Sequence, residues 1–129
     1  MKKSIFALLM VVTVFVSCKK DSDKKPDDAS RVIRYEITGN FTGPTLIASY
    51  TTSGGGTAND PVATLPWTKE ITYAANVAAA IIAISGNGGI AGQKVTIVIK
   101  RGGSQVGAPI DAVADASGSF SKSAPAIVF

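Results

Sequence analysis

Apolar and polar residues alternate one by one in several short segments between residues 31 and 129. The clearest alternation lies in residues 31–38 and 94–101, where the apolar positions on one side are Ile33, Tyr35, Ile37, Val95, Ile97 and Ile99. A period of two sends successive side chains to opposite faces, which is typical of a half-buried β-strand. We therefore predict a strand over each of these two segments.

Weaker forms of the same pattern predict further strands. They cover residues 45–52, 62–65, 67–73, 104–112 and 119–129. The glycines and proline of residues 39–44 predict a short turn that pairs the first two strands as an antiparallel hairpin, and Gly102-Gly103 predicts a second hairpin. Pro109 has no amide donor, so its strand is expected at a sheet edge. The glycine-rich residues 53–61 predict a flexible loop, and the apolar residues 127–129 predict an ending tucked into the sheet.

Residues 76–85 form the one ambiguous segment. Its alanines favour a helix, and its apolar run has no clear period. We predict a strand because the segment is short, is bounded by Asn76 and by glycines, and is β-branched in its second half. A helix is the alternative at this position.

These elements define the fold class. Short strands separated by regularly spaced turns are typical of an all-β sandwich or barrel. We predict an immunoglobulin-like antiparallel β-sandwich of about seven strands, formed by residues 31–129. A domain of this length has room for a single hydrophobic core.

The start of the chain follows a different pattern. Lys2 and Lys3 precede an apolar run over residues 5–16, which is shorter than the roughly 20 residues that a spanning helix needs. A basic start, a short apolar run and a small residue before the cut site are typical of a secretory signal, here residues 1–17. Residues 15–18 resemble the lipobox of bacterial lipoproteins, with Phe15 in place of the usual leucine.

Cys18 is the single cysteine of the chain and stands directly after this signal. The lipobox resemblance implies that its thiol carries diacylglycerol and that its new amino terminus is acylated, for example with palmitate. Cys18 is therefore our one predicted modification site, and the partner it implies is the membrane. An ordinary secreted protein with a free or buried thiol is the alternative.

Residues 18–30 are predicted to be a lipidated cysteine followed by a charged tether. The segment mixes lysines with aspartates and lacks large apolar side chains, so it cannot offset the entropy cost of ordering. The run Cys18-Lys19-Lys20-Asp21-Ser22-Asp23 resembles the charged motif of surface lipoproteins in Bacteroidota. This resemblance implies the outer membrane, with the cell surface as the finer location; a generic solvated linker is the alternative.

Composition narrows the classes of function. The formal net charge is +4 and falls to +2 once Lys2 and Lys3 leave with the signal. The other basic residues of the domain are scattered, whereas nucleic-acid binding usually needs a clustered basic face. The chain has no histidine, and with Cys18 lipidated no thiolate ligand remains, so zinc sites built from Cys and His are excluded. We predict no metal, no cofactor, no nucleic-acid partner and no catalytic residue.

A series of short motifs, taken in order, resembles the MmpS-like family of membrane proteins. The motifs are Tyr35-Glu36-Ile37-Thr38-Gly39, Ser49-Tyr50, Leu65-Pro66-Trp67-Thr68-Lys69 and the strand over residues 94–99. Family members have a short N-terminal membrane segment and a small extracytoplasmic β-sandwich, and mycobacterial members assist lipid and siderophore exporters. Two departures limit what the resemblance implies here: the anchor is a lipid on Cys18, and the family's paired cysteines are missing.

Three functions remain as hypotheses. The first is a non-enzymatic, lipid-anchored envelope protein whose sandwich binds a protein or glycan partner, with service to a transporter as the role implied by the resemblance. The second is a carrier that holds a small apolar ligand between the sheets near residues 77–84. The third is a hydrolase that uses the pair Glu36 and Glu70 or the pair Asp111 and Asp115. Trp67 is predicted to lie between the sheets rather than to contact a ligand, and Tyr35 and Tyr50 to lie in the core with hydroxyls at its rim.

Overall fold

The computed structural model describes residues 30–129, so the signal segment and Cys18 lie outside the described part of the chain. These residues form eleven β-strands and no helix, and accordingly contain no helix that could cross a membrane. The strands are β1 Val32–Gly39, β2 Thr45–Thr51, β3 Thr57–Pro61, β4 Trp67–Thr72, β5 Ala79–Ala80, β6 Ile82–Asn87, β7 Lys94–Arg101, β8 Ser104–Gln105, β9 Ile110–Val113, β10 Phe120–Ser123 and β11 Ile127–Val128. The predicted all-β class is confirmed.

Two antiparallel sheets pack face to face as a β-sandwich. The first sheet has the order β4-β1-β7, with β8 and β9 both paired to the far edge of β7. The second sheet has the order β10-β6-β2-β3. A small third sheet, β5 with β11, lies at the end where residue 30 joins β1. We call this the Ser30 end of the sandwich.

The core lies between the inner faces of the two main sheets. Every second residue of β1 and β7 is fully or almost fully buried, and β2 and β6 supply the opposing layer. The largest side chains with under 2% exposure are Tyr35, Ile33, Ile37, Ile82, Ile84, Ile97 and Val95. The period of two in the sequence therefore identified the inner faces of β1 and β7, because a pleated strand sends alternate side chains to opposite sides.

The predicted hairpin between the first two strands is wrong. β1 pairs with β4 and β7, while β2 pairs with β3 and β6, so β1 and β2 lie in different sheets. The connection between them crosses from one sheet to the other instead of reversing within one sheet. Phe41 fixes this crossing: it is 8% exposed, and its ring meets Phe120 edge-on at 4.9 Å between centres.

Two neighbouring predictions about residues 53–65 are also wrong. Residues 57–61 form β3, an edge strand of polar residues, whereas a flexible loop was expected over residues 53–61. Residues 62–65 were expected to form a strand and instead form an irregular connection, although Val62 is buried. The hydrophobic pattern did not predict β3 because an edge strand needs little apolar surface. It predicted a strand over residues 62–65 wrongly because Val62 is buried without being part of a strand.

The ambiguous segment contains β5 and most of β6 and no helix, as predicted, but its first residues, 76–78, form a turn and an irregular stretch instead of a strand. It is interrupted between β5 and β6 at Ile81, whose amide donates to the side-chain hydroxyl of Thr51 on β2 instead of to a backbone carbonyl. The expected final strand over residues 119–129 is likewise split into β10 and β11. Each half joins a different sheet, so one predicted element became two.

The β7 hairpin and its return strand match the prediction closely. Gly102 and Gly103 both have positive φ, 56° and 87°, which suits a two-residue hairpin loop of the favoured primed kind. The return strand lies at the sheet edge and is divided at residues 106–109, which separate β8 from β9. Pro109 falls in this gap, where its missing donor costs no ladder bond.

Residue 129 packs into the Ser30 end, as the apolar residues there predicted. The Phe129 ring lies between two guanidinium groups, 4.4 Å from that of Arg31 and 5.1 Å from that of Arg101. Arg101 is only 9% exposed and donates hydrogen bonds to the carbonyl oxygens of Ser30, at 2.7 Å, and Val128, at 3.1 Å. One buried cation thus joins the first described residue to the last strand.

Candidate functional site

The side of the sandwich between β3 and β4 brings two aromatic and two charged side chains together. Tyr50 points inward from β2, Asp60 comes from β3, and Trp67 and Lys69 come from the inner side of β4. We call these four residues the Tyr50 cluster. They meet because β3 and β4 are the edge strands of opposite sheets, so their side chains close the gap between the sheets.

Short polar contacts hold the Tyr50 cluster together. The Tyr50 hydroxyl donates to Asp60 Oδ2 at 2.6 Å, and Lys69 Nζ lies 3.4 Å from the same oxygen. Lys69 Nζ is also 5.5 Å from the centre of the Tyr50 ring, within the range of a cation–π contact. Trp67 completes the group, with its ring centre 6.3 Å from that of Tyr50. Trp67 is half-buried between the sheets, as predicted.

These contacts fix the charge state of the Tyr50 cluster. Burial, with the hydrogen bond to Asp60 next in size, raises the pKa of Tyr50. The hydrogen bond from Tyr50 lowers the pKa of Asp60, and the neighbouring Tyr50 and Asp60 raise the pKa of Lys69. At neutral pH the cluster therefore holds a neutral phenol, a carboxylate and an ammonium group. Such a set is suited to hydrogen bonding and stacking, and its charges cancel.

A chain of hydroxyl groups runs inward beside the Tyr50 cluster. The Tyr73 hydroxyl donates to the Thr51 carbonyl at 2.7 Å, which leaves Tyr35 as the donor across the 3.0 Å contact between the Tyr35 and Tyr73 hydroxyls. Tyr35 is completely buried, and burial raises the pKa of both Tyr35 and Tyr73. The expectation that the Tyr35 hydroxyl lies at the rim is thus wrong, whereas the Tyr50 hydroxyl does lie there.

A cleft of about 340 Å³ opens next to the Tyr50 cluster. Its walls come from β4 on one side and from the end of β2 on the other. The lining residues are Tyr50, Thr52, Ser53, Lys69, Glu70, Ile71 and Thr72. The cleft therefore combines one aromatic face, one aliphatic side chain and several hydrogen-bonding groups, and it runs along an outer strand of the first sheet.

The opposite side of the sandwich has an apolar groove of about 340 Å³. It lies between the gap in the return strand and the residues just before and within β11. Its lining residues are Ile99, Val106, Gly107, Ala108, Pro109, Ile110, Pro125, Ala126 and Ile127. Every side chain in this lining is apolar, so the groove differs in character from the cleft beside Tyr50. We call it the apolar groove.

The predicted ligand position near residues 77–84 is filled by protein. Ala80, Ile82 and Ile84 are at most 1% exposed and belong to the packed core. Ile81 and Ala83 instead point outward and line a shallow depression of about 250 Å³ on the outer face of the second sheet. The space between the sheets at this strand is therefore closed to a small apolar ligand. The apolar groove beside Pro109 is the place where such a ligand would fit.

The carboxylates proposed for a hydrolase lie on the solvent-facing surface. Glu36 lies 3.0 Å from both Arg34 Nε and Lys100 Nζ, and the Lys100 hydrogen bond is the main cause of its lowered pKa. Glu70 is exposed on the neighbouring strand. Glu36 is thus taken up by two ion pairs, and its lowered pKa does not suit the general acid of a paired-carboxylate mechanism, which needs a raised pKa.

The second pair of carboxylates is also taken up by local structure. Asp111 accepts from the Thr96 hydroxyl at 2.7 Å and pairs with Lys94, and these two contacts, in that order, lower its pKa. Asp115 accepts from Ser117 and Ser119 in the turn after β9, with the Ser117 side chain as the main cause of its lowered pKa. Residues 30–129 also contain no group of three Asp or Glu side chains placed to hold a metal ion.

Comparison with protein-family models and with curated proteins finds no match to this chain. The residues on which the MmpS-like resemblance rests lie on β1, at the end of β2, at the start of β4 and on β7. They therefore map to three adjacent strands of the first sheet and one strand of the second. Membership of that family, and with it the exporter role, stays a prediction.

Sequence reasoning missed Asp60 and Tyr73 as members of the site. Asp60 lay in the segment expected to be a loop, and only the pairing of β2 with β3 brings it to Tyr50. Tyr73 ends the segment predicted as a strand over residues 67–73, but its hydroxyl partners lie on two other strands. A signal for Asp60 did exist: an isolated acidic residue beside Pro61 is typical of a protected edge strand.

Proposed function

We propose that this chain is a non-enzymatic, lipid-anchored protein of the cell envelope whose β-sandwich binds a protein or glycan partner. The predicted signal, Cys18 and the charged tether support the anchor and the location, which we place at the outer membrane. Support of a transporter is the role that the MmpS-like resemblance adds. The domain works as a binding module held at a membrane surface by its lipid.

One observation carries the binding role. The carboxylates Glu36, Asp60, Asp111 and Asp115 are all held in ion pairs or turns with lowered pKa values, whereas the cleft beside Tyr50 is open to solvent. Aromatic faces bordered by polar groups are the usual make-up of recognition sites for proteins and for sugars. The cleft is therefore the surface on which we place the partner.

Photocrosslinking in intact cells that produce the full chain tests this proposal. A benzophenone amino acid in place of Thr72, which lines the cleft, should give a discrete crosslinked product. The matched control carries the same amino acid in place of Lys122, which is exposed on β10 at the other side of the sandwich. Sugar-specific and protein-specific stains then separate the two partner classes. No product at Thr72, or the same product at both positions, would count against the proposal.

The apolar groove favours a second candidate, the carrier of a small apolar ligand. Its volume of about 340 Å³ lies at the low end of the range for small-molecule sites, and its lining residues have no polar side chain. Native mass spectrometry of the full chain released from envelopes should then show an added apolar mass. The change Ala126→Trp should remove that mass by filling the groove. A ligand-free mass for the unaltered chain would exclude the carrier.

A further inference from the structure

The outer edge of β4 presents a row of backbone groups that have no partner in the described domain. The amide of Tyr73 donates to the Arg31 carbonyl, so this pair is a hydrogen-bonded pair of the β1–β4 ladder. Bonded and non-bonded pairs alternate in an antiparallel ladder. Thr68, Glu70 and Thr72 consequently turn their amide and carbonyl groups away from β1, toward solvent.

Both ends of this row are closed. Pro66 has no amide to offer just before β4, and the Ala74 amide just after it donates to the Ser53 carbonyl at 2.9 Å. The free stretch is thus the six-residue strand Trp67–Thr72, with three outward-facing residues. It has the length of an ordinary short strand and is not interrupted.

The other edge strands of the two main sheets are cut short by prolines. The same alternation turns Thr57 and Asn59 of β3 outward, and Pro61 removes the next donor. On β10, Ser121 and Ser123 face outward before Pro125, and β9 is preceded by Pro109. Prolines and short lengths are the means by which proteins block pairing at sheet edges. β4 is the edge left with the longest unblocked row.

The side chains around β4 define what kind of strand would fit. The cleft beside Tyr50 lies along the inner side of this edge, and the apolar part of its wall comes from Ile71 and Tyr50, which are 8% and 5% exposed. On the outer side, Glu70 is exposed and forms no ion pair within residues 30–129, since Arg34 and Lys100 pair with Glu36. A complementary strand would therefore place an apolar residue inward and a Lys or Arg opposite Glu70.

We propose that the partner protein binds by adding an extended segment of about five residues to the free edge of β4. The segment alternates apolar and polar residues, with a basic residue on its polar side. This inference rests on the proposed function and makes it specific: the partner is a protein, and it is held chiefly by main-chain hydrogen bonds. Its side chains supply selectivity through the cleft and Glu70.

Amide hydrogen exchange followed by NMR tests the strand addition. The probe is the acetylated peptide Thr-Val-Lys-Val-Thr-Val, added to the full isotopically labelled chain in detergent micelles. We expect saturating peptide to slow exchange of the Thr68, Glu70 and Thr72 amides about ten-fold or more, because these protons become part of a ladder. Protection confined to β3, β9 or β10, or no protection at millimolar peptide, would overturn the proposal.

Proline substitutions separate the β4 edge from the rest of the surface. Glu70→Pro removes an outward donor without touching the β1 ladder, and prolines are tolerated at such edge positions. It should weaken peptide binding about ten-fold or more. The matched control Ser121→Pro, at an outward position of β10, should leave binding unchanged. Equal losses in both variants would overturn the assignment to β4.

Two further outcomes identify the occupant. Glu70→Gln should weaken binding about two- to five-fold and reduce its salt dependence, as for an exposed ion pair. If the full chain without peptide self-associates and protects the same three amides, the occupant is a second copy and the partner proposal fails.

The proposed function and the strand addition can fail separately. If the chain binds the peptide but is absent from the envelope, the proposed function alone is refuted. If the chain is in the envelope but does not bind the peptide, the strand addition is refuted.

Discussion

Replacement of Cys18 by alanine is expected to release the protein completely from the membrane fraction and to abolish its acylation. The thiol is the only group of the chain to which this lipid can be attached, since the sequence has one cysteine. Each buried acyl methylene contributes about 0.8 kcal/mol, so two or three acyl chains hold a protein firmly at the membrane. Without any acyl chain, only the charged tether precedes the domain. The effect should be all or none rather than graded.

Radiolabelled palmitate and membrane fractionation measure the two parts of this result. The matched control is Ser17→Ala, which keeps a small residue before Cys18 and should preserve both the label and the membrane location. A Cys18→Ala protein that lacks the label yet still sediments with membranes would show that another feature holds it there. A labelled Cys18→Ala protein would place the lipid elsewhere.

Removal of one buried hydroxyl, by Tyr73→Phe, is expected to lower the free energy of unfolding by about 1–3 kcal/mol. The Tyr73 hydroxyl accepts from Tyr35 and donates to the Thr51 carbonyl. Its loss leaves the Tyr35 hydroxyl without a partner at a position with no solvent exposure. An unpaired buried polar group costs its full desolvation energy, which exceeds the net worth of the bond.

The companion variant Tyr35→Phe is the control and should cost less, about 0.5–1.5 kcal/mol. It removes the same hydroxyl–hydroxyl bond, but Tyr73 keeps the Thr51 carbonyl as its acceptor. Urea denaturation of the full chain and both variants gives the comparison, provided that the slope of the transition is unchanged. If the two variants lost the same free energy of unfolding, or if Tyr35→Phe lost more, the hydrogen bond between the two hydroxyls would run in the other direction.

The sequence predicted which faces of the strands are buried better than it predicted which strands pair. The β7 alternation around Ile97 and the Tyr35 side of β1 required only local information, because the pleat alone separates the two faces. The pairing of β1 with β7 joins residues about 60 positions apart, and no local pattern contains it. Turn residues after Gly39 are equally compatible with a hairpin and with a crossing between sheets. Burial of Phe41 against Phe120 of the second sheet stabilises the crossing.

The candidate site was less predictable than the fold for the same reason. The sequence predicts Trp67 between the sheets, and the structure confirms this position. The contact of Lys69 with Asp60 depends on β3, which has no hydrophobic alternation and lies in a segment predicted to be a loop. Cys18 and its lipid lie outside the described residues and stay a prediction from residue pattern alone.

The placement of β1 also determines how the domain bears mechanical load. Ser30 leads directly into β1, a central strand with β4 on one side and β7 on the other. Tension applied at Ser30 along the axis of this strand shears two ladders of hydrogen bonds together instead of opening them one bond at a time. Arg101 braces the same point by holding the Ser30 carbonyl to that of Val128. The domain is thus loaded through its most strongly connected strand, and a pull at this point meets the resistance of the whole first sheet.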